Sequence, residues 1–282
     1  KKYFNRTVAL LAAAIFYTMP ILSVFNVRGF VDISTALFAM VGIYALLRWD
    51  DAGNMKLLAL GGLFAGAAAA TKLSAYPIPA VLLLIVVYIT LFLQKGKVKL
   101  LVKNSTPYAI GVSVAMLPWM VRAVIYTGNP VYPLFSNLFG GPYLTEALAT
   151  FWVQSLAFIG FGTSLLDLLL LPWNITMNSV AFGEQLGIGP FFLAFIPLIF
   201  LLKKVERKIW GLLFLTVPLL LFWFFSAQSP RFIFLVYALL SIVTAYVIDR
   251  YAVGRMALPV LGIVMIMFAF NGLLWVGANS DE

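Results

Sequence analysis

Residues 77–130 read PIPAVLLLIVVYITLFLQKGKVKLLVKNSTPYAIGVSVAMLPWMVRAVIYTGNP. Two apolar runs, 78–93 and 105–125, flank a loop that holds Lys95, Lys97, Lys99 and Lys103. Each run approaches the roughly 20 residues that a helix needs to cross the hydrocarbon core of a bilayer. Lysines gathered between two such runs mark a cytoplasmic turn. This pattern predicts an all-α polytopic membrane protein, because in lipid only a helix or a closed barrel satisfies its own backbone polar groups.

The same pattern recurs on both sides of this stretch. Apolar runs at 7–25, 33–47, 57–70, 188–202, 209–225, 232–248 and 256–276 bring the expected count to about nine spans in one transmembrane domain, 1–282. Hydrophobic residues make up 63% of the chain and charged residues 10%, a composition that has lipid as its solvent. With Lys1 placed inside, every Lys and Arg except Arg28, Lys72, Arg122 and Arg231 falls on the inner side. The net charge of +9 is therefore read as a topology signal on cytoplasmic loops rather than as a nucleic-acid surface. The N-terminus is expected inside, the C-terminus outside, and the membrane to be a prokaryotic plasma membrane.

Residues 126–187 then form one long outer segment. Residues 145–171 are apolar enough to span, but a crossing there would move Lys203, Lys204, Arg207 and Lys208 outside. Glu146, Thr150 and Gln154 repeat at helical spacing, so 145–159 is read as a helix lying in the outer interface. Gly160 and Gly162 are expected to end it, and Ser164 to cap a second short helix ending at Pro172 and Trp173. Trp119, Trp152, Trp173, Trp223 and Trp275 near the outer face, with Trp49 and Trp210 near the inner one, suggest an aromatic belt. Gly62 and Gly66 form a small-xxx-small pair suited to close helix packing.

The chain has no His and no Cys. Thiol chemistry, disulfides and imidazole bases are excluded, and acid–base work falls to Asp, Glu, Lys or Tyr. No ligand set for a metal stands out, and a requirement for a divalent cation stays open.

Charge at the outer ends of helices is then the functional signal. Four loops bring it there: Asn26 to Asp32; Thr71 to Pro77; Arg122 with Tyr126 to Pro130; and Ser226 to Arg231. Glu184 precedes a span. Convergence of these loops would make a polar, positively biased pocket. Each residue also has a plainer reading. Asp32 suits a helix N-terminus, Lys72 can extend its ammonium to the interface, and Arg122 sits at a helix C-terminus, where a cation is favourable. Arg231 resists such a reading, because it opens a helix and faces the positive end of its dipole. An anion there would be held by both the guanidinium and free backbone N–H groups. At a membrane face, a lipid phosphate is the natural anion.

Several stretches resemble membrane glycosyltransferases of the GT-C type, in particular the glycosyltransferase family 39-like group of protein O-mannosyltransferase and lipid A aminoarabinose transferase relatives. They are Gly29-Phe30-Val31-Asp32, Ala70-Thr71-Lys72, Pro118-Trp119-Met120-Val121-Arg122 and Thr127-Gly128-Asn129-Pro130. Leu171-Pro172-Trp173-Asn174, Gly187-Ile188-Gly189-Pro190 and Gln228-Ser229-Pro230-Arg231-Phe232 follow in order.

The resemblance implies transfer of a sugar from a polyprenyl-phosphate carrier to an acceptor at the outer face. Asp32 would be the catalytic base, and Lys72, Arg231, Arg122 and Arg28 would bind the donor phosphate. Tyr76, Asn129 and Glu184 are candidate acceptor or sugar contacts. The implied partners are membrane lipid, the lipid-linked sugar as donor substrate and an acceptor; the resemblance fixes no cofactor and leaves a divalent cation open. That family carries an acidic pair in its first outer loop, which nothing here matches. The run at 7–25 resembles its third helix, so two further helices and their loop are expected upstream. Two other readings stand beside this one: a lipid-phosphate-binding or transport protein without transferase activity, and a structural subunit of a membrane complex.

Overall fold

In the computed structural model the chain is helical, with no strand among the described residues. The structure describes residues 3–157 and 159–279, and the side chains of all of these except residues 27, 152, 153, 155–157, 278 and 279. The helices in chain order are α1 (Arg6–Tyr17), α2 (Pro20–Val27), α3 (Asp32–Ala52), α4 (Met55–Thr71), α5 (Pro77–Tyr88), α6 (Val98–Thr127) and α7 (Ser136–Phe139). They continue with α8 (Glu146–Ala157), α9 (Leu165–Met177), α10 (Phe191–Phe195), α11 (Arg207–Phe224), α12 (Phe234–Tyr251) and α13 (Ala257–Asn279). Among the described residues six helical segments are long and apolar enough to cross a membrane, or seven if α1 and α2 act as one bent span. The protein is an all-helical membrane protein.

Two compact units form, Lys1–Ile33 with Ile159–Glu282, and Ser34–Phe158.

In the first unit α12 is the central helix. Twelve of its residues are buried, among them Leu239, Val243 and Val247, and α1, α10, α11 and α13 pack on it. The first helix is capped by Asn5, whose side chain accepts from the Val8 amide at 2.7 Å. The expected continuous span at 7–25 is broken instead. Thr18 turns its hydroxyl back onto Ala14 O at 2.7 Å, and Pro20 opens α2 after a 68° bend. Proline lacks an amide hydrogen and is tolerated at the first helical position, so it starts a new helix more easily than it continues one. The run at 188–202 is also shorter than expected: α10 and a 3-10 turn cover Phe191–Leu201. Helix α9 has the expected cap. Ser164 and Asp167 form a capping box, but the helix runs through Pro172 to Met177 rather than ending at Trp173.

The second unit is organised by α4 against α6. A Cβ on Gly62 would overlap the Tyr108 carbonyl oxygen, and one on Gly111 the Ala59 carbonyl oxygen. The two backbones therefore touch, the arrangement that small residues permit in membranes. Tyr108 adds a hydrogen bond across to α5, donating to Pro79 O at 2.7 Å. Helix α6 begins at Val98, so Lys99 and Lys103 lie on a helix rather than in a loop. Its far end is closed by Gly128 in the left-handed conformation at φ 73°. Helix α8 matches the helix expected at 145–159 and leaves Glu146, Thr150 and Gln154 exposed; Phe158 lies outside the described residues. Two tryptophans are not belt residues: Trp49 and Trp223 are each 2% exposed and belong to the core. The Trp152 side chain lies outside the described residues.

Candidate functional site

The turn between α11 and α12 is built rigidly. The Trp223 indole donates to Ser229 O at 2.7 Å. Gln228 is buried; its amide donates to Gly162 O at 2.6 Å and to Phe224 O at 3.0 Å, and its oxygen accepts from the Phe161 amide at 3.3 Å. Gly160, at φ 100°, gives the room: a Cβ there would overlap the Gln228 amide. Phe182 stacks on Trp223 at 6.0 Å between ring centroids. These contacts fix Ser229 and Pro230, and with them the 3-10 turn Pro230–Ile233 that presents Arg231.

Arg231 is half-buried. Its guanidinium carbon lies 4.9 Å from the Phe30 ring centroid, 5.3 Å from Phe232 and 5.7 Å from Phe25. Three π faces near one cation lower the cost of partial desolvation. Phe25 contacts Phe30 edge-on at 5.2 Å, and Gly29 at φ 67° makes the turn that brings Phe30 round. The Arg231 Nε is buried and has no hydrogen-bond partner among the described residues.

Three other charged residues of the same unit join Arg231. Glu184 is half-buried. Burial raises its carboxyl above the ordinary 4.5; Arg231, Arg28 and a hydrogen bond with Ser229 act in the opposite direction, and Asp32 adds to the rise. Asp32 opens α3 and is 4% exposed, while Arg28 follows the end of α2 and is exposed. Two carboxylates and two guanidiniums share this cluster, so within the unit the expected positive bias is absent.

The other predicted residues lie in the second unit. Lys72 follows α4 in extended conformation and is half-buried. Beside it in sequence, the Thr71 and Thr35 hydroxyls meet at 2.6 Å. Tyr76 is half-buried where α5 begins. Arg122 is exposed on α6, with its guanidinium 5.1 Å from the Trp119 ring and 5.8 Å from Tyr126, neighbours one turn away on the same helix. Asn129 is fully buried. Its amide donates to Leu134 O at 2.8 Å and Gly140 O at 3.4 Å, and its oxygen accepts from the Val131 amide at 3.0 Å. Those bonds hold the loop after α6.

Three residues of the first unit escaped the sequence reading. Gln228 positions the Arg231 turn. Tyr237, in the first turn of α12, is 2% exposed and its hydroxyl has no partner. Asn271, in α13, is 1% exposed with neither amide atom partnered; it packs against Gly189, where a Cβ would come within 2.5 Å of its oxygen. A polar side chain inside an otherwise apolar run was the available signal for Asn271. Among the described residues no three acidic side chains gather into a metal site.

A family model described as "Domain of unknown function (DUF8201)" matches residues 1–238. No curated protein and no solved structure matches the chain.

Proposed function

The chain belongs to the DUF8201 family, and for it we propose the activity of a glycosyltransferase that moves a sugar from a polyprenyl-phosphate carrier to an acceptor at the outer membrane face. The observation that carries this reading is Arg231. It is a half-buried cation at the start of a helix, framed by aromatic rings, with a buried N–H that the fold leaves without an acceptor. A phosphate supplies the hydrogen-bond acceptor that this N–H lacks.

In this reading nine crossings are made. They are the six long segments, the bent α1–α2 pair, and the shorter Met55–Thr71 and Phe191–Leu201. Residues 126–187 are then extracytoplasmic, and the membrane is a prokaryotic plasma membrane with the N-terminus inside. The acceptor hydroxyl attacks the anomeric carbon as the bond from that carbon to the phosphate oxygen breaks. Asp32 takes the acceptor's proton, and the charge developing on the departing phosphate is stabilised by Arg231 and Arg28. Glu184 is a sugar or acceptor contact in this reading; Lys72, as a donor-phosphate residue, and Tyr76, as a sugar or acceptor contact, are carried by the resemblance alone. Arg122 is the weakest assignment, because its own helix already gives it two aromatic partners.

The test is transfer of a labelled sugar from a polyprenyl-phosphate donor in membranes. Arg231→Ala, Lys72→Ala and Asp32→Asn should each abolish it, with the proteins still present in the membrane. Undiminished transfer by Arg231→Ala and Lys72→Ala together would reject the donor assignment. The break between α1 and α2 favours a second reading, a lipid-phosphate transporter, since transporters commonly use discontinuous helices. That reading expects lipid-phosphate translocation in vesicles without any glycosyl transfer.

A further inference from the structure

Among the described residues, two buried polar atoms near the Arg231 turn have no hydrogen-bond partner: Nε of Arg231 and Oη of Tyr237. Each is a hydrogen-bond donor, and a donor buried in an apolar bundle without an acceptor is costly. They are not accidents of loose packing. Phe192 stacks on the Tyr237 ring at 6.0 Å, and Phe234 packs against it at the same separation. Phe234 in turn contacts Phe25 at 5.8 Å, and Phe25 is one of the rings over Arg231. One aromatic cluster thus holds both donors.

The charges around these donors cancel. Arg28 and Arg231 are matched by Asp32 and Glu184, so net potential does not retain an anion here. Recognition must come from N–H and O–H groups held in fixed directions. A guanidinium N–H and a phenol O–H can both be taken up by one oxygen-rich anion, and a phosphoryl group has enough oxygens to accept both. A cationic ligand would leave the guanidinium N–H without an acceptor.

We propose that Tyr237 is a phosphate-binding residue, its hydroxyl donating to a lipid-phosphate oxygen alongside the Nε–H of Arg231. The inference rests on the reading of this site as a lipid-phosphate site, and it adds a ligand contact that is not a charge. A purely structural Tyr237 would make the opposite prediction, because removing a buried hydroxyl that bonds to nothing should leave the protein unharmed in every respect.

The experiment uses the full chain in detergent or nanodiscs with three probes: a polyprenyl phosphate, the matching polyprenol and inorganic phosphate. Tyr237→Phe removes only the hydroxyl. It should melt at or above the wild-type temperature, bind polyprenyl phosphate about tenfold more weakly, equivalent to about 1.4 kcal/mol, and bind polyprenol as the wild type does. Inorganic phosphate weakened in the same way would also support the contact and would show that the phosphoryl group alone is read. If Tyr237→Phe keeps full affinity while Arg231→Ala loses it, the inference fails and the lipid-phosphate reading stands. If neither change matters, both fail. Weakened binding of polyprenol as well would overturn the inference, since the hydroxyl would then act on the chain rather than the head group. Arg231→Lys provides a second variant. It keeps the charge and removes the Nε donor, so affinity should fall, and the further loss from Tyr237→Phe should shrink in that background. Full additivity, or unchanged affinity in Arg231→Lys, would refute the shared contact.

Discussion

A single methyl group placed at Gly66 tests the packing that organises the Ser34–Phe158 unit. A Cβ there would lie 2.6 Å from the Val112 carbonyl oxygen, and 2.9 Å from both Val112 Cα and Ala115 Cβ. Ordinary contact begins at 3.4 Å, so α4 and α6 must part locally by about 0.8 Å. Two of the three obstacles are backbone atoms, and no rotamer change relieves them. Overpacking of this kind costs about 1–3 kcal/mol. A gap of 0.5–1 Å along the neighbouring seam also forfeits roughly a quarter to a half of the dispersion energy at each contact. Alanine's better helix propensity offsets about 1 kcal/mol, leaving a net destabilisation of about 1–2 kcal/mol. Gly62→Ala should cost more, because its Cβ would overlap the Tyr108 carbonyl. Gly211, Gly262 and Gly272 have nothing within 4 Å of a built Cβ; alanine at these helical positions should stabilise by up to about 1 kcal/mol. The assay is thermal unfolding in one detergent, followed by far-UV circular dichroism. About 2–4 °C per kcal/mol is the scale for chains of 150–250 residues. A Gly66→Ala protein that melts at or above Gly211→Ala would refute the backbone-contact argument.

Two further predictions concern the first unit. Glu184 has a folded carboxyl that titrates above its ordinary 4.5, so its contribution to stability is complete below that value and is lost as pH rises through the raised one. The melting temperature of wild type relative to Glu184→Gln should therefore fall between pH 4.5 and the raised value and then level off; a difference independent of pH would contradict it. Gln228→Ala removes a buried bond to the Phe224 carbonyl and should destabilise by about 1–3 kcal/mol for that group, with less from the exposed Phe161 and Gly162, and should weaken polyprenyl-phosphate binding through the Arg231 turn. A melting curve alongside a binding titration checks both, and full affinity in a folded Gln228→Ala protein would show that the turn does not depend on this anchor.

Much of the fold was legible because lipid imposes a simple rule on length and polarity. Every apolar run read as a span contains helix, including the lysine-flanked pair at 78–93 and 105–125. The bend before Pro20 was missed because residues 7–25 are apolar throughout, and hydropathy is blind to the amide hydrogen that proline lacks. The early start of α6 was missed because lysines were read as loop residues. Lysine is a good helix former, and its long stem can carry the charge out of a helix end. Gly160 was read as a helix breaker. Its larger role is to admit the Gln228 side chain, a contact with a residue far along the chain that no local pattern encodes. In the site, Arg28, Asp32, Glu184 and Arg231 stood out because charge is rare in this sequence. Tyr237 did not, since it is one of 12 tyrosines, a residue type equally at home in a core or at an interface.

What separates these polar residues is which of their atoms still lack partners once the fold has formed. Charge alone does not sort them, because Arg122 and Arg231 are both arginines at helix ends with aromatic neighbours. Arg122 is exposed, so water completes its hydrogen bonds, and its rings lie on its own helix. Arg231 is half-buried, its rings Phe25 and Phe30 come from a distant part of the chain, and its Nε is sealed from water without an acceptor. Burial alone does not sort them either. Asn129 and Asn271 are both buried, yet the Asn129 amide is engaged at both ends by its loop while neither atom of Asn271 is engaged at all. A membrane bundle has little interior water to satisfy such atoms, so a fold that keeps them gains nothing in stability from doing so. Among the described residues, Arg231 Nε, Tyr237 Oη, Thr244 Oγ1, Ser74 Oγ and the Asn271 amide are buried without a partner, and at such atoms a ligand's oxygens can add the most binding energy. For the first two, linked through the rings of Phe25 and Phe234, that ligand is the proposed phosphate.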